Sequence, residues 1–308
     1  RPGFGQADMA DLPLADQFGH PADRLLDRHL RIDPMLIATD QQADIFSNVF
    51  ETLTRVGAGA GTVPWLAKEL HVVDDGRTFV FRLRGDVRFH DGRSLTSRDV
   101  KYSYERVLRA PQSRGHGQLM VIRGAERFAA GADASLEGFH VASDRQFAIE
   151  LERPIVFFPV LLTDPCVAIV PEGSGEDRGC VGTGPFRIAG FEPNVCVLLG
   201  RNPDYWRAGV PRCDAVEFVL NVPHQQIYDE FRAGRFSVVS GLNTADVEAL
   251  RMDTSAGRTY RDAPAMSTAF LAFNTRRGPL ADVALRRRLV RRRQPGPVVR
   301  VAARRRSR

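Results

Sequence analysis

The chain has 308 residues, 43% hydrophobic and 26% charged, a globular balance that excludes a disordered polymer. No apolar run approaches the ~18 residues of a membrane-spanning helix. The formal charge of +6 is local: residues 286–308 carry eleven arginines and no acid, and taking these from +6 leaves −5 for residues 1–285, so a basic nucleic-acid-binding body is excluded.

Residues 1–30 mix Asp, Pro, Gly and Leu without a sustained period and read as an extension. Ile45, Phe46, Val49, Phe50 and Leu53 recur at helical spacing, which predicts a helix over 45–53 that ends before the GAGAG run at 57–61. Trp65, Leu66 and Leu70 behind Pro64 predict a second short helix. The period then changes to two: Phe79, Phe81 and Leu83 alternate with polar neighbours after the Asp74-Asp75-Gly76 turn, the signature of a hairpin. Thr96 and Asp99 form a capping box for a helix whose inner face is Val100, Tyr104, Val107 and Leu108, closed by Pro111.

A polar stretch at 112–118 precedes a predicted helix near 119–130, and Phe147, Ile149 and Leu151 predict another strand. An apolar patch at 157–162 leads to a strand-like VAIV at 167–170. Strands follow over 186–191, 195–199 and 216–220, then a helix marked by Ile227, Tyr228 and Phe231 and ended by Gly234. A short buried strand at 236–239, a helix capped by Asn243 and Asp246 and a strand at 267–273 complete the pattern. Strands and helices interleave without a strict βαβ repeat, which defines an α/β mixed-sheet protein.

The chemistry-bearing motifs are weak. Gly182, Gly184 and the GSGEDRG run at 173–179 lack a following GK[ST], and a strand rather than a helix N-terminus comes next, so no phosphate cradle is predicted. GAGAG at 57–61 fails the dinucleotide context because a helix is predicted before it. Adjacent His90 and Asp91 point to opposite sides of an extended chain, and no hydrolase motif has its supporting context, so the chain is not read as an enzyme. Asp74 and Asp75 lack the other ligands of a calcium loop. Cys166, Cys180, Cys196 and Cys213 have no zinc spacing and read as small core residues, with one disulfide left open. Phe79, Phe81, Tyr102 and Tyr104 fit core faces, whereas Tyr205 and Trp206 either staple a loop or border a pocket. Arginine outnumbers lysine 41 to 2, a compositional bias rather than a phosphate-recognition signal.

Four segments carry a resemblance: VPWLAKEL at 63–70, DDGRTFVFRLRGDVRFHDGRSLTSRDVKYSYERVL at 74–108, GTGPFRIAGF with VLLGRNPDYW at 182–206, and AFLAFNTRRGPLADVALRRRL at 269–289. In this order the chain resembles the extracytoplasmic solute-binding proteins of family 5, the oligopeptide, dipeptide and nickel class of ABC importers. The resemblance implies a type II periplasmic-binding-protein-like fold. Residues 31–62 and 168–275 would form the first lobe, 63–167 an inserted subdomain, and 276–308 the start of a second lobe followed by an atypical Arg-rich tail.

The family's second lobe would lie beyond this sequence, so the chain is expected to be a fragment or processed piece that binds peptide poorly by itself. Implied ligand-binding residues are Thr39, Asp40, His116, Gln118, Ser267, Thr268, Phe270 and Asn274, with no cofactor and no metal. Implied partners are a peptide or other small solute and the permease subunits of an importer, in a periplasmic or extracytoplasmic location with a lipid anchor on the full-length protein. A cytoplasmic regulator that senses a small molecule with a similar clamp is the alternative. The tail could serve as a nucleic-acid arm, but nucleic acid is not the expected partner of the body.

Overall fold

The alternation in Thr78–Leu83 is a strand, β4, that buries Phe79, Phe81 and Leu83 and faces Val80 and Arg82 outward. The computed structural model describes residues 33–57, 61–174, 181–239, 242–252 and 273–292. They fall into two compact units, divided between Gln226 and Ile227.

In the first unit, β1 (Thr54–Val56) and β2 (Thr62–Pro64) form an antiparallel ribbon. A four-stranded antiparallel sheet in the order β3-β4-β6-β5 joins β4 to β3 (Ala67–Val73), β5 (Phe139–Ser143) and β6 (Gln146–Glu150). The β3–β4 connection is the expected Asp-Asp-Gly turn, with φ of 51°, 52° and 93° at Asp74, Asp75 and Gly76. Phe81 lies opposite Phe147, with ring centroids 5.1 Å apart, and Phe147 stacks on Phe139 at 4.9 Å. Each phenylalanine fully withdrawn from water contributes roughly 1.5–3 kcal/mol.

Helix α2 (Ser97–Leu108) is capped by Thr96 and Asp99 as the sequence predicts, and buries Val100, Tyr104, Val107 and Leu108 within the same apolar cluster. A second cluster gathers Ile45, Phe46, Val49 and Phe50 with Ala168, Val170, Phe186, Val197 and Leu199. The last three belong to a three-stranded antiparallel sheet, β7 (Phe186–Glu192), β8 (Cys196–Arg201) and β9 (Ala215–Val219).

Several local expectations are overturned. Helix α1 runs over Asp40–Phe46 and stops where Ser47 Oγ and Asn48 Nδ2 donate back to the Ala43 and Asp44 carbonyls. The apolar stripe from Ile45 to Leu53 is buried, but its second half is non-helical because the Asn48 and Val49 carbonyls accept from the Phe186 and Gly184 amides. Residues 65–70 form no helix: the Trp65 and Ala67 amides donate to the Leu53 carbonyl, and β3 then pairs with β4. The element before GAGAG is therefore β1, and the run fails as a dinucleotide loop because β2 follows it.

The polar stretch at 112–118 contains helix α3 (Arg114–Leu119), capped by Ser113, and α4 (Ala125–Ala129) follows after a bridge at Ile122. A four-residue helix, α5 (Phe158–Leu161), buries Phe158 and leaves Phe157 exposed. Within VAIV, Val167 ends a 3-10 turn and the remaining residues are extended but unpaired in a ladder, with the Ile169 amide on the Glu51 carbonyl.

Helix α6 (His224–Arg232) leads into the second unit, which holds α7 (Thr244–Met252) and α8 (Val283–Arg292). The Asp246 amide donates to Asn243 Oδ1, the expected cap. Residues 236–239 form no strand, and Val238 is 85% exposed. The predicted strand at 267–273 lies almost wholly outside the described residues. The arginines of 286–288 do not prevent a helix, since the Arg286 guanidinium turns back onto the Leu280 and Ala281 carbonyls. Among the described residues, no helix is long and apolar enough to cross a membrane.

Candidate functional site

Glu51 is the charged residue in the buried stripe between α1 and β1, and it is 5% exposed. Its Oε1 accepts from Trp65 Nε1 at 2.7 Å and Tyr205 Oη at 2.7 Å; its Oε2 accepts from Thr183 Oγ1 at 2.9 Å and Trp206 Nε1 at 3.2 Å. Burial pushes the carboxyl above its ordinary 4.5, and the four hydrogen bonds, Tyr205 first, pull only part of the way back. The Tyr205 phenol is pushed well above its usual range by burial and then by the Glu51 charge. Tyr205 and Trp206 thus staple their loop to the body, and Tyr205 also borders a pocket, so both readings left open by the sequence apply.

The glycine-rich loop at 182–184 serves this arrangement. A Cβ on Gly182 would lie 2.0 Å from the Val49 carbonyl oxygen, and one on Gly184 2.5 Å from that of Asn48. His90 closes the loop from the other side: its amide donates to the Gly182 carbonyl at 2.8 Å, and its Nε2 lies 3.0 Å from the Gly184 carbonyl oxygen. Asp91 pairs instead with Arg93 at 2.8 Å, so His90 and Asp91 form no dyad.

Above the hub lies an open cavity of about 350 Å³ lined by Asn48, Glu51, Arg55, Trp65, Tyr205 and Arg207 among others. The Arg55 and Arg207 guanidinium carbons stand 4.7 and 4.9 Å from the centre of the Trp65 ring, and Arg84 stands 4.5 Å from that of Trp206.

The residues the resemblance implies gather at a different corner. Thr39 caps α1, its Oγ1 accepting from the Gln42 amide at 3.2 Å, and the Asp40 side chain is almost fully exposed. Arg114 at the start of α3 lies 4.0 Å from Asp40 and 3.9 Å from Asp164, and Gln118 Nε2 donates to Asp164 Oδ2 at 2.8 Å. His116 Nδ1 and Gln118 Oε1 are buried without a hydrogen-bond partner among the described residues. The first-unit candidates Thr39, Asp40, His116 and Gln118 therefore share one neighbourhood, which Arg114 and Asp164 join.

Asn274 lies in the second unit and uses its Oδ1 to accept from the Arg276 amide at 3.1 Å. Ser267, Thr268 and Phe270 lie outside the described residues. Sequence reasoning missed Glu51, Asp164, Arg55, Arg114 and Arg207; the one signal available for Glu51 was a carboxylate interrupting an otherwise apolar stripe. No group of three or more His, Cys, Asp or Glu residues suited to a metal occurs among the described residues. Cys166 and Cys196 are free and buried and Cys213 is free and exposed.

The described residues share the type II periplasmic-binding-protein fold of solved structures. The Escherichia coli murein tripeptide binding protein MppA superposes with a TM-score of 0.69 at 22% identity, covering 82% of this chain and 51% of that one. The chain belongs to the bacterial extracellular solute-binding proteins, family 5, whose model matches residues 61–289.

Two curated relatives are a probable di/tripeptide-binding protein 5 of Pseudomonas aeruginosa, 29% identical over 82% of this chain and 50% of the relative, and a probable deoxycholate-binding periplasmic protein, YgiS, of Escherichia coli, 24% identical over 84% and 50%. The chain spans about half the length of the curated relatives it matches.

Proposed function

We propose that this chain supplies the first half of the substrate-binding component of an ABC importer, which encloses a peptide or similar small solute between two lobes and presents it to a membrane permease outside the cytoplasm. The observation that carries the reading is the family match over residues 61–289, together with a relative named for di- and tripeptides. Segments 31–62 and 168–275 form the first lobe on this reading, and 63–167 the inserted subdomain. Its support is the division of the first unit's apolar side chains into two clusters, one around the four-stranded sheet and α2, the other around α1 and the three-stranded sheet.

The ligand-facing residues on this reading are Thr39, Asp40, His116 and Gln118 from the α1–α3 corner, with Ser267, Thr268, Phe270 and Asn274 from the segment leading to the second lobe. The buried partnerless atoms of His116 and Gln118 support the first set, because an N–H of a bound solute could donate to Gln118 Oε1 and a solute polar group could pair with His116 Nδ1. Closure then follows from differential affinity: a solute that bonds both lobes stabilises the closed form relative to the open one.

The test is uptake of a labelled tripeptide by cells carrying or lacking the gene. Reduced uptake on deletion, restored by the gene and not by its Gln118→Ala, His116→Ala form, is the expected result. Unchanged uptake with altered transcription of neighbouring genes would instead support the ligand-sensing regulator.

A further inference from the structure

The cavity above Glu51 is lined by two cations, Arg55 and Arg207. Among the described residues, Arg55 and Arg207 take part in no ion pair; their contacts are with the face of Trp65, at 4.7 and 4.9 Å. Arg187 and Arg201 are ion-paired, with Asp204 and Asp214, and Arg84, over Trp206, donates its Nε to the Trp65 carbonyl. Glu51, the carboxylate in the cavity wall, is already occupied by two indoles, a phenol and a hydroxyl. The other polar lining groups are also engaged, with Ser47 and Asn48 bonded to α1 carbonyls, Thr52 to the Thr54 carbonyl and Thr163 to the Val160 carbonyl.

Stacking on an indole uses the face of a guanidinium and leaves its in-plane N–H donors free, which is the geometry that receives a carboxylate or phosphate at two points. Holding both guanidiniums on one ring also reduces the rotamer entropy lost when an anion arrives. The rest of the lining, Phe50, Pro185, Phe186 and Pro211, is apolar and suits a small organic body. A volume of about 350 Å³ lies at the small end of the ~300–1,000 Å³ of ligand pockets.

We propose that this cavity is a binding site for a small organic oxyanion, held by Arg55 and Arg207 against Trp65, and distinct from the α1–α3 corner assigned to the imported solute. The site is complete within the first unit, so it does not depend on a second lobe or on the importer reading.

Trp65 and Trp206 are the chain's only tryptophans; Trp65 touches both arginines and Trp206 lies 5.9 Å from Arg207, so their emission reports on the site directly. The experiment titrates the 308-residue chain with citrate and with inorganic phosphate at ionic strength held constant with sodium chloride, read by tryptophan fluorescence and by calorimetry. Saturable binding with half-saturation below about 1 mM is expected for at least one probe. Citrate alone would identify carboxylate as the recognised group, and phosphate alone would identify phosphate.

Arg55→Gln and Arg207→Gln should each raise the half-saturation at least about tenfold, while Arg201→Gln leaves it unchanged. Both arginines are exposed, and matching far-UV circular dichroism would show that the variants fold. Neither heat nor a saturable fluorescence change up to about 20 mM of both probes, or an unaltered half-saturation in the double variant, would overturn the assignment.

Discussion

Replacing Glu51 with glutamine preserves the shape of the hub and removes one of its two acceptor oxygens. Whichever way the amide is turned, its NH2 faces one indole N–H and one hydroxyl: Trp65 with Tyr205, or Trp206 with Thr183. The hydroxyl can rotate to accept, but the indole cannot. One buried donor is therefore stranded at about 1–3 kcal/mol, and the three surviving bonds each lose about 1 kcal/mol on exchanging a charged acceptor for a neutral one.

Relief from desolvating a carboxylate offsets several kcal/mol of this loss, leaving a net destabilisation of about 1–3 kcal/mol at pH 7. Urea unfolding followed by tryptophan emission measures it, since both tryptophans sit in the hub. The pH dependence has a definite sign. Because the folded carboxyl titrates above its ordinary 4.5, the stabilisation linked to its protonated form is complete below 4.5 and fades as pH rises through the folded value. Glutamine does not titrate there, so the wild-type advantage should be widest in acid and narrow towards neutrality. A glutamine form at least as stable as wild type at pH 7, or an advantage that widens as pH rises, would refute the reasoning.

Two further substitutions or labels probe other elements. Gly182→Ala should cost about 1–3 kcal/mol or more in thermal unfolding, because its Cβ would sit 2.0 Å from a backbone oxygen; Gly117→Ala on α3, with nothing within 4 Å, should be neutral or stabilise by up to ~1 kcal/mol, and equal losses at both positions would contradict the close approach of the 182–184 loop to the Val49 carbonyl. Cys166, whose thiol is pushed up to about 12 by burial and then by Asp164, should resist maleimide in the native state at pH 8 while exposed Cys213 reacts, as read by peptide mass spectrometry; native labelling of Cys166 at the rate seen in urea would rule this out.

What the sequence makes legible follows from local rules. The Phe79-Phe81-Leu83 alternation, the Thr96–Asp99 box and the Asn243 cap each act within a few residues, and each appears where predicted. Failures occur where distant partners decide. The stripe from Ile45 to Leu53 has helical spacing, yet its carbonyls are claimed by residues 184–186, an option no local window contains. Trp65–Leu70 reads as helix for the same reason and is held extended by Leu53 and by β4.

At the candidate corner, capping by Thr39 is written in the Thr-x-x-Gln spacing, whereas the approach of Arg114 and Asp164 to Asp40 and Gln118 needs the fold. The four long motifs carry the family because they preserve order over more than two hundred residues, which local propensity does not.

The hub ties Glu51 to a tryptophan 155 residues further along the chain. At a synthesis rate of roughly 5–20 residues per second, about 8–30 s separate the emergence of these two partners from the ribosome. During that interval the carboxylate keeps its water and the indole of Trp65 has only part of its final company. The bonds of the hub therefore cannot all form as Glu51 is made, and its completion waits on the last pair of aromatic rings to arrive.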